Sequence, residues 1–261
     1  MNLHDDFVLD DLDSKTESRM HKKLARKKKL EDGFKGNKVV NEVLDKSTVM
    51  TLYKMIRNHV ISYVNGPISA GKESVVFWGV ADDADVALKI YLVSTSNFKK
   101  REAYIAGDPR FSRIKKGTRN LVYLWASKEF RNLSLCHGAG LPVPKPIHLS
   151  KNVLAMEFVG EGGAPCKTLL DSEAGAEDYS QAVLILEQMY EAGLVHGDYS
   201  EYNIFKTESG LRVFDLGSAV DTRHPNSAEF LKRDINNITR FFHKRGVQVE
   251  EPDVILGRIL K

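Results

Sequence analysis

Apolar positions first recur at helical spacing at Val49, Leu52, Ile56 and Val60, with Ser47 as the expected N-cap and order beginning near Leu44. After Gly66 and Pro67 the pattern shortens to β-like runs at residues 74–80 and 86–92, joined by an Asp-rich turn at 82–85. Residues 121–135 read as a helix and 153–159 as a buried strand. Residues 179–190 read as a second long helix, closed by Gly193 at its C-terminal end. Loop and short strands follow over 195–213, then helices at 229–242 and 254–260. Strands precede helices, so the pattern predicts an α+β fold with a β-rich lobe packed on an α-rich one.

Composition narrows the class. Of 261 residues, 42% are apolar, which is enough for a sizeable core. Lys and Arg (38) nearly balance Asp and Glu (35), which excludes a chain that is basic or disordered throughout. No apolar stretch approaches the roughly 18 residues of a membrane span. The opening MNLHDDFVLDDLD lacks the basic-then-apolar layout of a signal peptide. Cys136 and Cys166 are the only cysteines, without metal-ligand spacing, so the expectation is a soluble protein of the reducing cytoplasm.

The balance hides local asymmetry. The first 13 residues carry five Asp and no Lys or Arg, whereas residues 15–38 carry ten basic and three acidic residues. Residues 99–119 add eight Lys/Arg against Glu102 and Asp108, with glycines and a proline that suit a loop. Each stretch reads either as a solvated segment or as a polyanion-binding surface for RNA.

Gly66 to Glu73, GPISAGKE, nearly spells the phosphate-binding G-x-x-x-x-G-K-[ST]. Glu73 stands where a magnesium-binding hydroxyl belongs, and a helix rather than a strand is expected upstream, so that reading is rejected. The same residues suit a small-residue turn between antiparallel strands, in which Ser69, Ala70, Gly71 and Lys72 approach phosphate oxygens.

The strongest signal lies downstream. His196-Gly197-Asp198-Tyr199-Ser200-Glu201-Tyr202-Asn203 has the spacing H-x-D-x-x-x-x-N, and Asp215-Leu216-Gly217 follows twelve residues later. This is a kinase-like arrangement: Asp198 as the base that accepts the nucleophile's proton, Asn203 and Asp215 as hard oxygen ligands for a metal. Upstream, Val86-Ala87-Leu88-Lys89 matches the strand whose lysine contacts nucleotide phosphates. Its ion-pair partner is expected to be Glu129, with Glu102 as the rival. Met156 to Val159 reads as core alone, or as a linker whose backbone groups at Glu157 and Val159 bond an adenine edge.

On these residues, together with SAGKESVVF, WASKEFRNL, LVHGDYSEYN and HPNSAEFLKRD, the chain resembles the RIO family of atypical serine/threonine protein kinases, closer to the first RIO subfamily. The resemblance runs from about Val43 onward. It implies a two-lobe protein-kinase-like fold with a trimmed C-terminal lobe, behind a charged N-terminal extension. The corresponding division is an arm at 1–42 and a kinase domain at 43–261, with lobes at about 43–156 and 160–261. ATP with Mg²⁺, or Mn²⁺ in its place, is the implied ligand, and Asp215 is an implied carrier of a transient phosphoryl group. Maturation of the small ribosomal subunit is the implied role, through ATPase activity, protein phosphorylation or both. Departures are visible too: Gly197 replaces the arginine of H-R-D, no A-P-E follows Asp215, and 46 residues remain after it. Two alternatives accompany this reading, a small-molecule kinase of the aminoglycoside-phosphotransferase type and an RNA-binding ATP switch with little transferase activity.

Overall fold

The computed structural model describes residues 44–93, 104–111 and 117–261. Helix α1 (Lys46–Arg57) leads into strands β1 (Tyr63–Ala70), β2 (Ser74–Ala81) and β3 (Ala84–Tyr91). Helix α2 (Thr118–Gly138) is followed by β4 (Pro146–Ser150) and β5 (Val153–Glu157). The five strands form one antiparallel sheet in the order β1-β2-β3-β5-β4.

Alternation along these strands decides what each face covers. Val75, Phe77, Leu88, Ile90, Val153 and Ala155 pack with Leu52 and Met55 of α1. Burying each of those two α1 side chains contributes roughly 1.5–3 kcal/mol. Ala87, Tyr91, Leu154 and Met156 point the other way, into the main core with Val122, Trp125 and Ala126 of α2. Lys89 lies between Ala87 and Tyr91 on the strand, so period two directs it to the inner face beside α2.

Three expectations need correction. The N-cap of α1 is Asp45, whose carboxylate accepts from Thr48 N–H at 2.7 Å; Ser47 already lies inside the first turn. The glycine turn joins the antiparallel strands β1 and β2 as that reading requires, but β1 stands between it and the helix expected directly upstream. Asn65, Gly66 and Pro67 mask its pattern, and it tolerates Pro67 because it is an edge strand with an irregular register there. Strand β5 stops at Glu157, two residues short of the apolar run.

Beyond β5 come the short hairpin β6 (Gly160–Glu161) and β7 (Ala164–Pro165), then helix α3 (Ala176–Glu191). Gly193 follows α3 at φ +86°, as a left-handed C-terminal cap requires. Strand β8 (Leu194–Val195) pairs with β11 (Val220–Asp221), and β9 (Ile204–Thr207) with β10 (Gly210–Val213). Helices α4 (Ser227–Lys244) and α5 (Pro252–Ile259) complete the second lobe. Both pairings hold the intervening polar loops, 196–203 and 214–219, at one edge of the helical lobe. Among the described residues, no helix is long and apolar enough to cross a membrane.

Candidate active site

Lys89 is the centre of the site. Its Nζ donates to Glu129 Oε1 at 2.9 Å and Oε2 at 2.8 Å, and to Asp215 Oδ1 at 2.8 Å. The Tyr91 hydroxyl donates to the same Glu129 carboxylate. Burial works against the Lys89 charge, but Asp215 and Glu129 outweigh it and push its pKa upward. Glu129, wholly buried, is the partner the sequence favoured; Glu102 lies outside the described residues.

The WASKEFRNL segment does more than supply Glu129. On α2, Lys128 Nζ donates to Gly217 O at 2.9 Å and also to Ala219 O. Asn132 Nδ2 donates to Leu216 O at 2.8 Å and Ala219 O at 3.0 Å. The loop after Asp215 is thus held by helix side chains through its carbonyls. Gly217 is required by proximity, since a Cβ there would sit 2.9 Å from Trp125 Nε1 and 3.3 Å from Glu129 Oε2. These constraints hold Asp215 at φ +57°, in the left-handed region.

The loop from His196 to Asn203 faces this group. Asn203 Nδ2 donates to Asp198 O at 2.8 Å and to Asp198 Oδ2 at 3.2 Å. Asp198 is exposed. Behind it, Asp234 of α4 accepts from Gly197 N–H at 2.7 Å and Tyr199 N–H at 3.0 Å. Burial pushes Asp234 up to about 7, against the pull of those two amides. Asp234 lies in the FLKRD segment, which pattern reading singled out without giving it a task.

His196 is fully buried and uses both ring nitrogens: Nε2 donates to Phe214 O at 3.2 Å, and Nδ1 accepts from Asp198 N–H at 3.3 Å. Burial pushes its pKa down to about 4, against the opposing Asp215 charge. An unfolded histidine titrates near 6.5, so between about pH 6.5 and 4 the unfolded chain binds the extra proton. Stability from this group is complete above that window and falls as pH drops through it, by up to about 1.4 kcal/mol per unit. Urea midpoints for wild type and His196→Asn across pH 7 to 4.5 check this. The variant should start weaker and fall less steeply; equal slopes would assign the acid lability to other groups.

Between the lobes opens a cleft of about 520 Å³, lined among others by Ile68, Val76, Ala87, Met156, Phe205 and Phe214. The rings of Phe205 and Phe214 stack at 4.0 Å. Ser69, Glu157 and Val159 also line it, whereas Ala70, Gly71 and Lys72 stand exposed outside the lining. The Gly71 amide closes its own turn, donating to Ser74 O at 2.9 Å, so in this conformation that donor is spent. Arg212 of β10 grips the Glu157 carboxylate with two bonds of 2.6 Å and donates to Val143 O at 2.9 Å. This fork lowers the Glu157 pKa from its ordinary value and ties the linker to the strand that leads to Asp215. Position alone assigned Glu157; its arginine partner had no signal in the sequence.

The RIO domain family matches residues 75–255. The RIO-type serine/threonine-protein kinase Rio1 of Haloferax volcanii is 42% identical over 218 residues, covering 82% of this chain and 74% of its own length. The serine/threonine-protein kinase RIO1 of Homo sapiens is 38% identical over 218 residues, covering 80% of this chain but 38% of its own length. The chain therefore spans most of the Haloferax relative and well under half of the human one. A solved complex of the Rio2 kinase of Chaetomium thermophilum with ADP/Mg²⁺-phosphoaspartate shares the fold, with a TM-score of 0.62 at 21% identity. That likeness covers 80% of this chain and 65% of the other. The family match over most of the kinase-like region, joined to this level of identity with named Rio1 kinases, shows that the chain belongs to the RIO family of serine/threonine kinases, on its Rio1 side.

Proposed function

We propose that this protein transfers the γ-phosphoryl group of ATP, with Mg²⁺, to a protein serine or threonine or to water. The observation that carries this reading is Lys89 held between Glu129 and Asp215 at the cleft, with Asp198 and Asn203 on the facing loop. A base, a phosphate-binding cation and metal-binding oxygens are the parts phosphoryl transfer needs, since positioning and electrostatics supply most of its catalysis.

The donor set fits magnesium. The Asp215 side chain is 45% exposed, and Asn203 turns its Nδ2 onto Asp198, which leaves the amide oxygen as the ligating atom. Among the described residues, no group of three His, Cys, Asp or Glu could hold a metal. Phosphate oxygens and water must therefore complete the shell, as is usual for Mg²⁺. When bound, the ion would neutralise charge developing on the phosphate oxygens.

In this reading the base lies between the aliphatic roof of Ile68, Val76 and Ala87 and the Phe205–Phe214 floor. Its edge meets backbone groups at Glu157 and Val159. Lys89 contacts the α- and β-phosphates, and the turn from Ser69 to Lys72 covers them. Asp198 takes the proton of the attacking hydroxyl or water. Asp215 has a second role open to it: its carboxylate oxygen attacks the γ-phosphorus, ADP leaves, and water later cleaves the acyl phosphate. The phosphoaspartate in the Rio2 complex supports this chemistry. The family resemblance extends the reading to small-ribosomal-subunit precursors in the cytoplasm. RNA contact would come through residues 15–38 and 99–119, most of which lie outside the described residues.

The test is to follow label from [γ-³²P]ATP in the presence of precursor particles and a generic protein substrate. Label should appear as inorganic phosphate, as phosphoserine or phosphothreonine, or as a hydroxylamine-sensitive adduct on the chain. Transfer of label to an aminoglycoside alone would overturn the reading.

A further inference from the structure

Gly197 occupies the place of the H-R-D arginine, and no side chain can be restored there. Its φ is +74°, and a Cβ would come within 2.9 Å of Ser218 O. The peptide group joining Gly197 to Asp198 is nevertheless held at both ends. Its N–H, that of Asp198, donates to His196 Nδ1 at 3.3 Å. Its carbonyl, that of Gly197, accepts from Arg233 Nη2, one residue before Asp234 on α4.

Arg233 is itself positioned from a distant part of the chain. The same Nη2 donates to the Tyr104 hydroxyl at 3.2 Å, and the guanidinium lies over the Phe230 ring at 5.0 Å. Tyr104 stacks on Phe230, with centroids 5.0 Å apart. The segment that carries Tyr104 is docked rather than loose. Ile105 is buried, Ala106 O accepts from His224 Nε2 at 2.9 Å, and Arg110 binds both Asp108 and Asn132. Burial opposes the Arg233 charge, and Tyr104, Asp234 and Asp198 together raise its pKa.

We propose that Arg233, set in place by Tyr104, is a positioning residue that orients Asp198 through the Gly197 carbonyl. It reaches the loop from α4, braced by the 104–111 segment, at a point where Gly197 offers no side chain. The inference rests on Asp198 being the base. Its consequence is a division of labour. Loss of the Arg233 contact displaces Asp198, while Lys89, Asp215 and the linker that receive ATP are untouched.

The experiment measures kcat and ATP KM for the full chain carrying Arg233→Met, Arg233→Lys, Tyr104→Phe or Asp198→Ala, with Tm recorded for each. A displaced catalytic group can cost about 100-fold, so Arg233→Met should lose about 10- to 100-fold in kcat with KM within about threefold. Arg233→Lys should recover part of that loss. Tyr104→Phe keeps the ring stack and removes one hydrogen bond from the guanidinium, so about 3- to 10-fold is expected. If Asp198→Ala is inactive while Arg233→Met and Tyr104→Phe turn over normally, the positioning proposal is overturned and the base survives. A kcat loss matched by an equal rise in KM also overturns it. If Asp198→Ala is fully active, the base assignment fails instead.

Discussion

Asp198→Ala should lower phosphoryl transfer by about 10²- to 10⁴-fold, the range for lost general-base help, while ATP binding stays close to wild type. The separation follows from geometry. Asp198 is bonded through Asn203 on the helical-lobe side, whereas the groups proposed to receive nucleotide are Lys89, the linker and the aromatic floor. The side chain is exposed, so truncation leaves no buried charge and the fold should persist. Single-turnover rates together with nucleotide titration check both halves. Full turnover in this variant would remove Asp198 from the mechanism.

Asp215→Asn should be comparably severe for a different reason. The substitution removes the proposed anionic metal ligand and one of the two carboxylates on Lys89. Several kcal/mol of transition-state stabilisation is a typical contribution from a bound metal, so a loss on the order of 10³-fold is expected. Glu129 still grips Lys89 through both oxygens, which keeps the buried ammonium paired and the protein folded. Any hydroxylamine-sensitive phosphoprotein should disappear in the same variant. A label that persists and resists hydroxylamine would exclude Asp215 as its carrier, and the loss of Mg²⁺-dependent turnover would test the metal role separately.

Much of the site was legible because its residues fall within single segments. Asp198 and Asn203 lie on one loop, five residues apart, and local spacing brings them together. Lys89 was legible because Val86-Ala87-Leu88-Lys89 is one short contiguous pattern on a recognisable strand. Glu129 needed more. It pairs with Lys89 across 40 residues, and Asp215 reaches the same ammonium across 126.

What had no sequence signal depended on the packing of one element on another. Lys128 and Asn132 hold the loop after Asp215 only because α2 lies against it. The Arg212–Glu157 fork exists only because β10 runs beside the linker. Strand β1 was hidden because edge position, which permits Pro67, is a property of the sheet and not of its own residues.

The sequence by itself determined the α+β class, the main helices, the central strands β2, β3 and β5, and the polar residues of the candidate site, since periodicity and short-range spacing follow from backbone geometry that each segment carries alone. Only the tertiary structure decided which carboxylates face Lys89, which turn amide is already spent, and which arginine serves the catalytic loop. Those are contacts between distant segments, and burial and steric fit at the packed interface select them.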